Sequence, residues 1–276
     1  MNGEFHIHTV ASDGLLTVEE ILDYVDGKRD YIAITDHDIL DGSIRCYAIT
    51  HNPNTKYHVK SVIGVEVSTE SKDESVHILG YFNNVRNLGP LIEAMDRTRK
   101  NRIERLYKMK SLLKEHFDID LDLTELLKLQ TITRGSIGRE IIRQGFPYTT
   151  EEIFSNIIGH DCPAYVPATK ISTELGIKLI HECGGVAVLA HPTLLKKQSA
   201  MDIVPYGIDG IEAVYPANKP HEEEMYRAIA KEHNLFITGG TDFHGFNDGK
   251  HANLLEYGIE GQDLEILINK INSLEK

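Results

Sequence analysis

The chain has 276 residues, with 29 Lys and Arg against 42 Asp and Glu and a net charge of −13 at neutral pH. At 41% hydrophobic and 26% charged it can bury one large α/β core or two modest ones, and no apolar run approaches the ~20 residues of a membrane span. The acidic balance disfavours general binding to a nucleic-acid backbone. Cys46, Cys162 and Cys183 are scattered with no CxxC pair, which argues against a disulfide framework or a thiolate zinc site and leaves metal binding to nitrogen and oxygen donors. Met1-Asn2-Gly3-Glu4 enters a strand with neither a basic nor an apolar leader segment, so a cytoplasmic protein with no membrane contact and no obligate protein partner is expected.

Phe5-His6-Ile7-His8 alternates as a strand, which puts His6 and His8 on one face, spaced for one metal ion. A surface strand with two incidental histidines gives the same pattern. Ser12-Asp13-Gly14 signals a turn that can bring a carboxylate back to the same spot. Thr17 to Glu20 forms a capping box ahead of Val18, Ile21, Leu22 and Val25 at helical spacing. Tyr31 to Thr35 is a short buried strand with Asp36-His37-Asp38 at its C-terminal end, where α/β folds collect their chemistry. Ser61 to Thr69 alternates so that Glu66 points away from the apolar face, and a lone Glu so placed usually faces solvent. Val76 to Phe82 repeats the strand pattern and carries His77.

From Leu88 the period becomes helical: Leu88, Leu91, Ile92 and Met95, then Ile103, Leu106, Met109, Leu112 and Leu113, predict one long helix or two ending near Phe117. Helical units are expected after Thr124, Ser136 and Thr149, with Gly159 as a stop, so residues 88–163 read as a helical insertion. Nine basic residues against three acidic ones between Arg86 and Lys114 make this stretch locally cationic, which a solvated helix face explains most simply. The α/β alternation returns with a helix over Thr173 to Cys183, a strand over Val186 to Ala190 ending in His191-Pro192, and a strand over Ile208 to Tyr215 whose Glu212 reads as a charged rim residue or, less simply, as a residue that supports the ligands of the site. A helix over His221 to His233, a strand over Leu235 to Thr238, then Asp242 and His244, and an amphipathic helix over Asp263 to Leu274 complete the chain.

Thr35-Asp36-His37-Asp38, Gly64-Val65-Glu66-Val67-Ser68, Val76-His77-Ile78-Leu79-Gly80, Ala190-His191-Pro192 and Gly240-Thr241-Asp242-Phe243-His244-Gly245, taken with the opening HxH, resemble the PHP (polymerase and histidinol phosphatase) family of metal-dependent phosphoesterases. The resemblance implies an α/β fold, a distorted (β/α)7 barrel formed by 1–87 and 164–276, with 88–163 as a small substrate-capping insertion. Six histidines (His6, His8, His37, His77, His191, His244) and three carboxylates (Asp13, Glu66, Asp242) stand at or near predicted strand ends. Gathered in one cavity they would desolvate and repel one another unless cations compensated them. Nine donors exceed the four of a tetrahedral site, so two or three divalent ions (Mn, Zn or Fe) are expected. The resemblance implies that His6, His8, Glu66 and Asp242 hold one ion, that Glu66 bridges to a second held by His77 and His191, and that Asp13, His37 and His244 serve a third.

Divalent ions bring a water pKa from about 15.7 to about 7 and neutralise charge on phosphoryl oxygens, which makes phosphoester hydrolysis the expected chemistry. Glu66 is the expected bridging ligand, and Asp13 and His37 are the candidate proton donors to the leaving group. Asp at position 13 is similar to the nucleotide-phosphatase branch, which points to a small 3',5'-bisphosphate or a short RNA end as substrate. Arg134 matches an Arg of that branch, and Lys170 is a second candidate phosphate contact, although Gly135-Ser136 departs from the Pro-His common there. A sugar or histidinol-type phosphatase, a cyclic phosphodiesterase, and a non-catalytic PHP module that scaffolds a partner are the rival readings.

Overall fold

A computed structural model of the chain describes residues 1–247 and 251–274. β1 (Asn2–Ile7) leads through the Asp13 turn to α1 (Val18–Val25), whose N-terminus is closed by the expected reciprocal bonds between Thr17 and Glu20. β2 (Tyr31–Ile34) is followed by α2 (Asp41–Thr50), a helix the hydrophobic pattern does not announce because it buries Gly42, Ser43, Cys46 and Thr50. Gly42 is required there: a Cβ would collide with the Asp36 carboxylate. β3 (Lys60–Ser71) and β4 (Glu74–Phe82) form a long antiparallel hairpin.

α3 is a single helix of 29 residues, Gly89–Phe117, and it spans two cores. Leu91, Ala94 and Met95 pack in the main core with the sheet, whereas Leu106, Met109 and Leu113 join Ile119, Leu121, Ile137, Ile141 and Ile153 in a second one. Arg102 and Arg105 do not lie on a solvated face. Each is 8% exposed, at the level where α3 passes from one core to the other. α4 (Arg134–Arg143) is capped by Thr133, three residues earlier than the expected start at Ser136, and α5 (Thr150–Glu152) is capped by Thr149 and runs into a π-turn over Ile153–Ile157.

β5 (Ile171–Ser172) and α6 (Thr173–Glu182) return the chain to the sheet, followed by β6 (Val186–Leu189), α7 (Ala200–Ile203), β7 (Gly210–Val214), α8 (Glu222–Glu232), β8 (Phe236–Gly239), β9 (Ile259–Glu260) and α9 (Gly261–Asn272). Among the described residues the strands form one sheet in the order β8-β7-β6-β4-β3-β2-β1-β9, with β5 paired to β3. The sheet curls until its ends meet. Ile7 bridges Phe243 just past β8, and the His8 amide donates to the Phe243 carbonyl at 2.9 Å, so the structure is a nearly closed α/β barrel.

Candidate metal centre

The closure of the barrel gathers the predicted donors. His6 lies on the inward face of β1 and His8 just beyond it, His37 follows β2, Glu66 lies within β3, His191 follows β6, and Asp242 and His244 follow β8. His77 falls early in its strand, and it reaches the same rim because β4 runs antiparallel: Ser68 pairs with His77, and the Ala190 amide donates to the His77 carbonyl at 3.1 Å. Asp13 arrives by the predicted turn, in which Gly14 packs against the His8 carbonyl too closely for any Cβ. All nine residues therefore face one cavity. Glu66 is fully buried at the barrel interior, not at solvent, because both faces of β3 are covered.

Four sets of donors have ligand atoms within 4.8 Å of one another: His8, Asp13, His37 and His244; His6, His8, Glu66 and Asp242; His37, Glu66 and His77; and Asp242, His244 and His251. In the second set, His6 Nε2 lies 3.5 Å from Glu66 Oε2 and 3.4 Å from Asp242 Oδ1, and His8 Nε2 lies 3.3 and 3.1 Å from the same two oxygens. Bond lengths of about 2.1 Å around one ion put neighbouring donors roughly 3.0–3.4 Å apart, close to these spacings. Glu66 Oε1 faces the other way, toward His77 Nδ1 at 2.8 Å and His191 Nε2 at 3.0 Å. The two oxygens of one carboxylate thus serve two different groups of imidazoles.

His6 Nε2, both ring nitrogens of His8, Asp13 Oδ1, His37 Nδ1 and Glu66 Oε2 are buried without a hydrogen-bond partner. Buried polar atoms are normally paired, because an unpaired one costs about 1–3 kcal/mol. Six together, on donors of one chemistry, fit divalent cations. The surrounding bonds aim the lone pairs inward: His6 Nδ1 donates to Glu212 Oε1 at 2.9 Å, which leaves Nε2 for the cavity, and His244 Nδ1 donates to the Asp242 carbonyl at 2.7 Å, which leaves Nε2 facing Asp13.

Burial raises the carboxyls of Glu66, Asp13 and Asp242, but the facing imidazoles outweigh it and hold all three well below the usual carboxylate range. Burial lowers His6 and His8, yet Glu212, Asp242 and Glu66 carry His6 well above its ordinary value, and Asp242 and Glu66 carry His8 to about 10. Burial dominates at His77 and His244, which fall to about 3 and about 4. With three carboxylates ionised and only some rings protonated, the cavity compensates its charge with protons that cations can displace.

Several residues outside the nine donors act here as well. Glu212 is no rim residue. It is fully buried, and besides its bond to His6 its Oε2 accepts the His191 amide at 2.7 Å. Tyr215 donates to Asp242 Oδ2 at 2.9 Å, and His251, stacked on His244 at 4.1 Å between ring centroids, adds a seventh histidine and so a tenth donor residue. Glu212 stands between Ile211 and Ala213 in a strand buried on both faces, and the apolar neighbours were its one signal in the sequence. His251 carried none. Beside the cavity, Arg134 begins α4 with its guanidinium 5.7 Å from the Tyr165 ring, and half-buried Lys170 bonds Ser75 and bears electrostatically on His77. Arg102 pairs with Asp38 Oδ2 at 2.5 Å, while Arg105 and Arg134 have no carboxylate partner among the described residues.

Fold and donors together define a metal-dependent hydrolase of phosphate esters. The chain is 29% identical over 253 residues to the 5'-3' exoribonuclease Rnm of Escherichia coli, spanning 87% of this chain and 84% of that protein, and 26% identical over 262 residues to a 3',5'-nucleoside bisphosphate phosphatase of Chromobacterium violaceum, spanning 90% and 89%. A solved structure from Bifidobacterium adolescentis, assigned to the metal-dependent phosphoesterases, superposes with a TM-score of 0.84 at 26% identity over 97% of this chain and 96% of its own. No protein-family model matches the sequence. Together with the donor set, these likenesses mark the chain as a metal-dependent phosphoesterase, similar to these proteins along nearly its whole length.

Proposed function

We propose that the enzyme hydrolyses a phosphate ester of a small nucleotide, such as a 3',5'-bisphosphate, or trims a short RNA end, using two or three divalent ions of manganese, zinc or iron. The observation that carries this reading is the set of facing donor atoms of His6, His8, Glu66 and Asp242, with nitrogen–oxygen distances of 3.1–3.5 Å and with those of His6, His8 and Glu66 buried without a hydrogen-bond partner. Those four residues would hold one ion, Glu66 with His77 and His191 a second, and Asp13, His37 and His244 a third. Bound ions supply a water acidic enough to attack near neutral pH and positive charge for the phosphoryl oxygens. Asp13, held ionised by His244, His37 and His8, suits a ligand and not a proton donor.

The protein's own contribution is to bind and orient the rest of the substrate. Lys170 is lowered to about 7 by burial and the charges of Arg102, Arg134 and Arg105, against the pull of Asp38. A second phosphate placed between Arg105, Arg134 and Lys170 would relieve that mutual repulsion and restore the lysine proton. A cleft of about 480 Å³ lies between Leu15 on the Asp13 turn and Leu126, Leu129 and Arg139 of the insertion, within the size range of small-molecule sites and apolar enough for a nucleobase. The similarity to a bisphosphate phosphatase and an exoribonuclease supports the same substrates.

The test is a panel of phosphate esters with added manganese. Release of phosphate from a 3',5'-bisphosphonucleotide or of nucleotides from a short RNA is expected. Turnover of histidinol phosphate or a cyclic sugar phosphate alone would overturn the substrate assignment.

A further inference from the structure

Thr133 belongs to the insertion, yet its side chain serves a carboxylate of the barrel. Its Oγ1 donates to Asp13 Oδ2 at 2.7 Å and accepts the Ser136 amide at 3.1 Å. The second bond fixes the direction of the first, because a hydroxyl has one proton and the helix amide already points at its lone pair. That proton goes to Asp13. Both residues are buried, at 7% and 5% exposure, so water does not compete for the bond.

The consequence falls on the other carboxylate oxygen. Asp13 Oδ1 has no hydrogen-bond partner and lies 3.1 Å from His244 Nε2 and 3.9 Å from both His37 Nε2 and His8 Nδ1. A carboxylate turns easily about its last torsion, so an unanchored Asp13 would sample orientations that point neither oxygen at the histidines. Arg139, further along α4, donates to the Asp13 backbone carbonyl, so one helix of the insertion grips the residue at both its main chain and its side chain.

We propose that Thr133 is a positioning residue that aims Asp13 Oδ1 at the cation position bounded by Asp13, His37 and His244, so that a residue of the insertion completes a position whose donors all come from the barrel. The inference rests on the metal-dependent reading above and adds to it a coupling between α4 and the third ion.

Thr133→Gly removes the hydroxyl while leaving a residue that is tolerated as a helix N-cap, and Thr133→Ser keeps both bonds. The full-length chain, freed of metal with a chelator, is titrated with Mn2+ alone, and the free ion is read by electron paramagnetic resonance. The weakest binding step should weaken about 10–100-fold in Thr133→Gly, the usual loss when a partner that orients a ligand is removed, and should stay at wild-type strength in Thr133→Ser. Asp13→Asn should weaken the same step, and adding Thr133→Gly to it should cost nothing further. A Thr133→Gly isotherm that matches wild type, or a loss that adds fully to that of Asp13→Asn, overturns the proposal. Wild-type chain that binds neither Mn2+ nor, in parallel calorimetric titrations, Zn2+ or Fe2+ overturns the metal reading as well, which separates the two failures.

Discussion

Two buried carboxylates whose backbones are joined, the Glu66 amide donating to the Asp36 carbonyl at 3.2 Å, show what distinguishes scaffold from reactive site. Asp36 is fully buried and fully satisfied: Oδ1 accepts the Thr9 amide at 2.7 Å and the Ser12 hydroxyl at 2.5 Å, and Oδ2 accepts the Thr9 hydroxyl at 2.7 Å. Those bonds staple the loop that carries His8 and Asp13. Glu66 is equally buried, but its Oε2 faces three imidazoles, His37 Nδ1 at 2.8 Å, His8 Nε2 at 3.3 Å and His6 Nε2 at 3.5 Å, and is left without a hydrogen-bond partner. A satisfied buried carboxylate holds the chain in place, whereas an unsatisfied one among imidazoles holds room for an ion.

The contrast is sharpest if each side is removed in turn. Glu66→Gln keeps the shape and the bonds that Oε1 can still accept, so metal-free melting should stay within a few degrees of wild type while turnover falls about 10³-fold or more. Calorimetric melting beside the phosphate-release assay reads both, and retained turnover would refute the role given to Glu66. Asp36→Ala should do the reverse: it strands the Thr9 amide and two hydroxyls in a dry interior and should cost about 3 kcal/mol of metal-free stability, measured by denaturant unfolding. An Asp36→Ala protein as stable as wild type would erase the distinction drawn above.

The smallest effect concerns pH. His8 titrates near 10 and His6 well above its usual range, because carboxylates hold their protons in place. Cations must displace those protons, so metal affinity should rise with pH through the neutral range, about tenfold per unit for each proton released. The sign follows from the raised values: below them the rings hold protons and compete with metal, and toward pH 10 that competition fades. Mn2+ titrations at pH 6.5, 7.5 and 8.5, in buffers of differing ionisation enthalpy, count the protons directly, and an affinity independent of pH would show the rings to be neutral already.

Much of this site was legible in the chain because its parts obey short-range rules. Alternation placed His6 and His8 on one face, Ser12 and Gly14 announced the turn at Asp13, and buried runs such as Tyr31 to Thr35 put acids and histidines at strand ends. What escaped depends on packing between distant segments. α2 hides because the face it buries is made of Gly42, Ser43, Cys46 and Thr50 instead of large apolar residues. Glu212 looked like a rim charge because alternation cannot tell a sheet with one wet face from a closed barrel. Arg102 and Arg105 looked solvated because helical periodicity does not reveal that a second body packs across the cationic side. His251 follows the last motif and meets His244 only through the tertiary fold.

The unbroken run of α3 has a mechanical meaning. Its first turns are embedded among the sheet residues and its last turns among the helices of residues 119–157, and at the crossing Arg102 clasps Asp38 and Ser68 on one side and the Ile132 carbonyl on the other. Swinging the cap away would require bending a rod of 29 residues and tearing out a dry ionic clasp, both costly compared with thermal energy. The insertion should therefore keep one position relative to the sheet, and small-angle scattering should record one envelope before and after ligand is added.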